Sequence, residues 1–285
     1  MTRLKFRLFP AVLAISLLIT GCDISVGEHG FSMDVVSGKA QNEWTRTYTI
    51  ASGGRLEVVN INGTINAAPG DGPQVVIRAE RIAKARTDED AQEILKKIEI
   101  VETASADKVR VETKVPKMSW GRSRHEVRYW VKVPKGLAVN FETVNGGVRL
   151  ENLDGEIVAS TTNGGVRGKG LRGPVKADTT NGGVEIEMAA VTGDIDLETT
   201  NGGIQLRLPR DAKANLEARC VNGGIGVDEG GWTSLQETEK SRRHFRGTLN
   251  GGGPRVAVET TNGGVRIAAT GRDEMHELRP RGGTD

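Results

Sequence analysis

The second half of the chain alternates apolar and polar residues in short runs, and the runs recur. An Asn-Gly-Gly triplet stands at Asn145, Asn163, Asn181, Asn201, Asn222 and Asn262. After the triplets, Val148 and Leu150, Val184 and Ile186, Ile204 and Leu206, Ile225 and Val227, and Val265 and Ile267 share one phase. A second run between triplets gives Ile157 and Ala159, Val175 and Ala177, Ile195 and Leu197, Leu216 and Ala218, and Val256 and Val258. The intervening residues are mostly charged or polar. Period two with one apolar face predicts half-buried strands. The triplets are spaced by 18, 18, 20, 21 and then 40 residues. Weaker turns at Asp154-Gly155, Arg172-Gly173 and Thr192-Gly193 split each period into two strands and two turns.

Such a pattern fits antiparallel hairpins on Asn-Gly turns or a parallel coil with a sharp corner at each triplet. A corner read this way needs positive φ, which Gly adopts freely and Asn tolerates. Two features favour the coil. Successive repeats are alike, so like stacks on like. Thr143, Thr161, Thr179, Thr199, Cys220 and Thr260 each lie two residues before the Asn. In a coil these positions form one column and the asparagines another, and columns of identical polar side chains bond along the stack. Cys220 is then a small buried residue at a threonine position. The expected fold is all-β, a parallel β-solenoid with two strands per rung of about 18–21 residues and one inserted helix.

An early rung is visible at 55–65, and another strand at 75–82. Thr87 is a helix N-cap, followed by Asp88, Glu89 and Asp90, then the stripe Ala91, Ile94, Leu95 and Ile98. This predicts a helix over about 87–98 that covers part of the sheet or closes an open end. Strands follow at about 98–103, 108–115 and 125–133. A second insertion, at about 229–248, holds Trp232 and the basic group Arg242, Arg243, His244 and Arg246. It reads as a contact for anionic polymer or lipid headgroups, or as an exposed strand with solvated charges. The tail 271–285 is polar and expected to be disordered.

The amino terminus is an address. Arg3, Lys5 and Arg7 precede an apolar stretch from Leu8 to about Ile19, too short to span a bilayer. It ends in Leu18-Ile19-Thr20-Gly21-Cys22, which resembles the bacterial lipobox. The expectation is a lipoprotein signal peptide over 1–21, lipidation of Cys22, a polar tether over 22–43 and the coil over 44–270. Two or more acyl chains give a stable membrane hold. Asp23 resembles a retention residue of enteric lipoproteins and leaves the choice of membrane open.

Composition narrows the function classes. Aromatics are only 4% and glycines number 38, which suits a thin core built from stacked repeats. The formal net charge of +2 gives no footprint for nucleic acid. His29, His125, His244 and His276 are scattered and form no zinc pattern, and neither a phosphate loop nor a nucleophile elbow is present. No cofactor is expected.

Tyr129-Trp130-Val131-Lys132-Val133-Pro134-Lys135-Gly136, Thr143-Val144-Asn145-Gly146-Gly147-Val148, and the closing Gly247-Thr248-Leu249-Asn250-Gly251-Gly252-Gly253-Pro254 with Thr260-Thr261-Asn262-Gly263-Gly264-Val265 resemble the bacterial "putative adhesin" domain family. The likeness covers about 43–268. It implies a right-handed parallel β-solenoid and an envelope location, and it brings no catalytic residues. Some relatives are linked to envelope stress.

One constellation invites chemistry. If rungs stack in chain order, Lys176 and Asp178, Asp196 and Glu198, and Glu217 and Arg219 lie side by side on an outward face. Its carboxylates suit calcium or the acid and base of a polysaccharide-active enzyme. The alternative is a solvated ladder offset by Lys176 and Arg219. The leading expectation is a non-catalytic, lipid-anchored envelope module, not an enzyme. It would bind a surface polymer, a partner protein or another copy of itself. A glycan-active enzyme and an envelope-stress modulator are the alternatives.

Overall fold

The computed structural model describes residues 22–27, 30–35, 37–115 and 124–270. The segment 1–21 expected as a signal peptide, the tail 271–285, His29 and His276 lie outside the described residues. The body is two long sheets, one of eleven and one of ten strands. Each rung gives one strand to each sheet. Ala138–Asn145 leads into Val148–Glu151, Ile157–Asn163 into Val166–Leu171, Val175–Asn181 into Val184–Met188, and Ile195–Asn201 into Ile204–Leu208. Successive rungs pair in parallel with like on like: Asn145 opposite Asn163, Asn163 opposite Asn181, Asn181 opposite Asn201. The asparagines therefore sit at corners of a coil and not at hairpin tips.

The coil does not follow chain order at its ends. The last rung, Arg255–Asn262 with Val265–Ala269, lies between Ile195–Asn201 and Ala214–Asn222. The chain thus lays down the outermost rung, 214–227, before the one inside it. The 40-residue step is filled by the strands Leu235–Lys240 and His244–Leu249, and the latter pairs antiparallel with Ala214–Asn222. The same inversion occurs at the other end. Lys108–Lys114 and Arg124–Val133 stack outside the rung Arg55–Asn62 and Ile65–Pro69, which itself adjoins 138–151.

The apolar phase read from the sequence faces the space between the sheets. Val139, Ile157, Val175, Ile195, Val256 and Leu216 form one column, each at most 2% exposed. Each such side chain contributes about 1.5–3 kcal/mol by leaving water. Large rings are few. Tyr129 is buried with its hydroxyl 2.7 Å from Thr113 Oγ1, and burial pushes its pKa up to about 12.

The corners are glycine for two reasons, one of them expected from the sequence. The first glycine of the triplet has positive φ at Gly146, Gly182, Gly223 and Gly263, between 156° and 159°. The asparagines of the row do not have positive φ. Close approach demands glycine as well. A Cβ on Gly164 would lie 1.9 Å from Gly146 O, and one on Gly182 would lie 1.9 Å from Gly164 O. The second corner obeys the same constraint, with 1.8 Å between a Cβ on Gly173 and Gly155 O.

Antiparallel strands close both ends. Gln74–Ala85 and Gly38–Thr49 flank Arg124–Val133, and Glu99–Ala104 flanks Lys108–Lys114. The strand from Gly38 takes up the last part of the segment expected as a tether, and Cys22–Gly27 pairs with Gly30–Val35 earlier in it. Helix α1, Asp88–Lys96, has Thr87 Oγ1 accepting from Asp90 N at 3.1 Å, and buries Ala91 and Ile94. It lies against the two end strands Gly38–Thr49 and Gln74–Ala85. Mostly exposed charged and polar side chains on Leu235–Lys240 blunt the opposite edge.

Candidate binding faces

The corner asparagines form one hydrogen-bonded row. Nδ2 of Asn145 donates to Oδ1 of Asn62 at 2.7 Å, Asn163 to Asn145 at 2.8 Å, Asn181 to Asn163 and Asn201 to Asn181 at 2.9 Å. Asn262 donates to Asn201 at 2.9 Å and Asn222 to Asn262 at 2.8 Å, following the spatial order of the rungs. The row ends at His125, whose Nε2 lies 2.7 Å from Asn62 Nδ2. Burial holds His125 below its ordinary pKa, which keeps the accepting nitrogen unprotonated.

The threonine column behaves differently from the expected ladder. Its hydroxyls turn to the neighbouring main chain: Thr161 to Gly146 O at 2.8 Å, Thr179 to Gly164 O and Thr199 to Gly182 O at 2.9 Å. Each satisfies a buried carbonyl at the corner. Cys220 takes this place on the outermost rung, buried, with Sγ 3.1 Å from Gly263 O. The deduction that it is a small buried side chain holds.

Beside the asparagine row runs a trough of about 530 Å³. Its floor is the second glycine of four triplets, Gly147, Gly165, Gly183 and Gly203. Its far wall is one outward column, Arg149, Arg167, Glu185 and Gln205, paired rung to rung. Arg167 is 3.6 Å and Arg207 3.4 Å from Glu185. Among the described residues Arg149 meets only Asn66 Oδ1, at 3.4 Å, and Lys169 stands exposed in the next column.

The opposite sheet carries the acidic residues, in an order that corrects the expectation. Asp178 is opposite Glu198, as anticipated, and Ser160 donates to Asp178 at 2.8 Å. The next partner of Glu198 is Glu259 and not a residue of the 214–222 strand, because the last rung is inserted there. Asp196 is opposite Ala257, which separates it from Glu217. Glu217 belongs to another group: Arg219 and Arg246 reach its Oε1 at 2.6 and 2.9 Å. The hydrogen bond from Arg246 is the main reason its pKa falls to about 2; burial opposes this and Arg219 adds to it. Among the described residues no group of three His, Cys, Asp or Glu is placed to hold a metal ion.

The basic group of the second insertion is likewise divided. Arg246 is committed to Glu217, and His244 Nδ1 lies 2.7 Å from Glu239. Arg242 and Arg243 sit in an exposed turn whose carbonyls accept from Ile225 N and Cys220 N at 3.1 and 2.9 Å. That turn stands in for the missing next rung.

The family model of Toastrack DUF4097 matches residues 76–268, from the strand Gln74–Ala85 to the last strand Val265–Ala269, and leaves out the rung at 55–69. The chain belongs to the Toastrack DUF4097 family. Among solved structures this Toastrack chain is similar to a "putative cell adhesion protein" of Clostridium sporogenes at 12% identity, covering 81% of this chain and all of that one, with a TM-score of 0.41. It is also similar to a "putative adhesin" of Bacteroides fragilis at 11% identity, covering 80% and 97%, with a TM-score of 0.28. A "putative lipid binding protein" of Parabacteroides distasonis shares 9% identity over 80% and 97%, with a TM-score of 0.28. At these scores the likenesses add nothing to what the residues themselves carry. No curated protein matches the chain.

Sequence reasoning singled out the acidic face and missed the trough and His125. The trough left a signal in the recurring Gly-Gly-Val-Arg at 146–149 and 164–167. His125 left none, since nothing local to it names Asn62.

Proposed function

We propose that this Toastrack chain is a non-catalytic binding or scaffold module of the bacterial cell envelope, lipid-anchored through Cys22 on the extracytoplasmic side of a membrane. The observation that carries the reading is the pair of flat faces on which equivalent polar side chains repeat at rung spacing, about 4.8 Å, above a closed apolar core. Such faces give extended contact area to a polymer or a partner protein, as in other solenoids. The lipobox-like segment before Cys22 supports the anchor.

The test has two arms. Cells expressing the full chain are labelled with palmitate, and the chain purified in detergent is mixed with isolated cell-wall sacculi and sedimented. Label that disappears in Cys22→Ser, together with co-sedimentation and no sugar release, agrees with the reading. An unlabelled wild-type chain overturns the anchor. Failure to sediment overturns the binding role in the envelope polymer, and release of sugars that stops in Asp196→Ala/Glu198→Ala replaces it with an enzyme.

A further inference from the structure

Each Asn-Gly-Gly triplet holds two glycines, and packing constrains the first far more tightly than the second. At the first position a Cβ meets a neighbouring carbonyl at about 2 Å, for example 1.9 Å at Gly182 and Gly202. At the second position the nearest atom to such a Cβ is 3.0 Å away at Gly165, 3.2 Å at Gly147, 3.3 Å at Gly183 and Gly203, and 3.5 Å at Gly264. At Gly224 nothing lies within 4 Å. None of these second glycines has a left-handed φ. Alanine would need the facing carbonyl to give by a few tenths of an ångström at Gly147, Gly165, Gly183 and Gly203 and would meet ordinary contact or open space at Gly264 and Gly224, and the equivalent corner after Asn62 carries Thr64. What the second glycine does is keep the trough open from rung to rung.

The geometry points to this trough as a binding groove for a linear acidic polysaccharide lying along the stacking axis, a proposal that rests on the binding-module reading. The shape is right for an extended strand, because the floor is bare on successive rungs and the rung spacing is comparable to one sugar unit. The rims are right for hydroxyl groups. The corner asparagines lie outside the trough's own lining, in the row beside it; each spends one N–H and one lone pair in that row and keeps a second of each for a ligand that reaches across. Glu185 and Gln205 continue that chemistry on the far wall. The acidic group has a place at one end. Arg149 has no carboxylate partner among the described residues, and it stands beside Arg167 with Lys169 close by. Guanidinium groups bind carboxylates through paired N–H donors. The charge is sparse, because Glu151, Glu185 and Glu187 are interleaved with these cations. A polymer with a carboxylate on only some of its units fits this pattern, whereas one charged on every unit would set anions against Glu185.

The full chain in detergent is titrated calorimetrically with a hyaluronan octasaccharide, in which uronate alternates with a neutral amino sugar. A neutral chitin hexamer, polyglutamate and phosphatidylglycerol vesicles serve as comparisons. The octasaccharide is expected to bind more tightly than the chitin hexamer and not to be displaced by polyglutamate. Its Kd is expected to rise at least tenfold in Arg149→Ala/Arg167→Ala, with the unfolding midpoint unchanged. Gly183→Ala, which puts a methyl group on the floor, is expected to weaken binding without touching a charge; should it not fold, the arginine variant decides. Equal binding by the arginine variant, full displacement by polyglutamate, binding to vesicles alone, or no binding of any saccharide overturns the proposal. Sacculi that still co-sediment in those cases leave the module reading standing, whereas loss of both sinks both.

Discussion

Asn62 Nδ2 lies 2.7 Å from His125 Nε2, and this contact ends a row of seven side-chain amides that all point the same way. The imidazole must be neutral to accept that bond. Burial lowers its pKa, so its contribution is present above the ordinary value of 6.5 and is lost as pH falls through the lower folded value. Urea unfolding is expected to show lower stability at pH 5 than at pH 7.5. His125→Gln, whose amide oxygen accepts at any pH, should shrink that difference; an unchanged slope would refute the account.

The two glycines of a triplet should respond differently to alanine. In Gly182→Ala the new Cβ meets Gly164 O, which cannot move without shifting the next rung. A cost of about 3 kcal/mol is expected, at the upper end for overpacked interiors. Gly183→Ala should cost under about 1 kcal/mol, within the range of a tolerated small change. Denaturant midpoints for the two variants check the contrast.

Thr179 Oγ1 bonds Gly164 O at 2.9 Å in a buried corner. Thr179→Val keeps the shape and strands the carbonyl, for an expected loss of about 1 kcal/mol. Cys220→Thr installs the stronger donor on the outermost rung and should be neutral or slightly stabilising. Thiol reagents should label Cys220 in the native chain no faster than the strand opens, since it is 5% exposed.

Glu217 is drawn down to about 2 chiefly by Arg246, with burial opposing and Arg219 assisting. A depressed carboxylate stabilises above its unfolded pKa of 4.5 and loses that contribution as pH falls through about 2. Glu217→Gln should therefore melt below the wild type at pH 5 and close to it near pH 2. The gap should be small, under about 1 kcal/mol, because both arginine partners are half-exposed and screened by water.

Removing 255–285 should have effects away from the cut. The rung 214–227 pairs inward only with 255–269, so without it that rung and the hairpin beyond it lose their support. Hydrogen exchange is expected to accelerate across 214–249 while Val175–Asn181 stays protected. Retained protection over 214–222 would mean that this strand re-docks on Ile195–Asn201.

Much of this was legible in the sequence. Period two placed Val175 and Ile195 inside, the triplet spacing put Asn163 over Asn145, and Thr87 marked the helix start. The order of the last rungs was not legible, because the motifs at Asn201, Asn222 and Asn262 are nearly the same and any of them can stack on any other. That degeneracy misplaced Glu217 beside Asp196. The positive φ of Gly182 and Gly263 was legible, but the second reason for glycine at the corners was hidden, since close approach between rungs is a tertiary fact that reads locally as a turn. The trough shared that concealment: Gly147 and Gly165 look like turn residues until they are seen aligned.

Length is a free variable in this architecture. Asn145, Asn163 and Asn181 make the same bond to the same partner atom, and the strands around them pair at a constant offset of 18 residues. A whole unit can be gained or lost between them without creating an unmatched amide or turning a side chain to the wrong face. The closures at the two ends need never change, so lineages can lengthen or shorten the middle while keeping both caps.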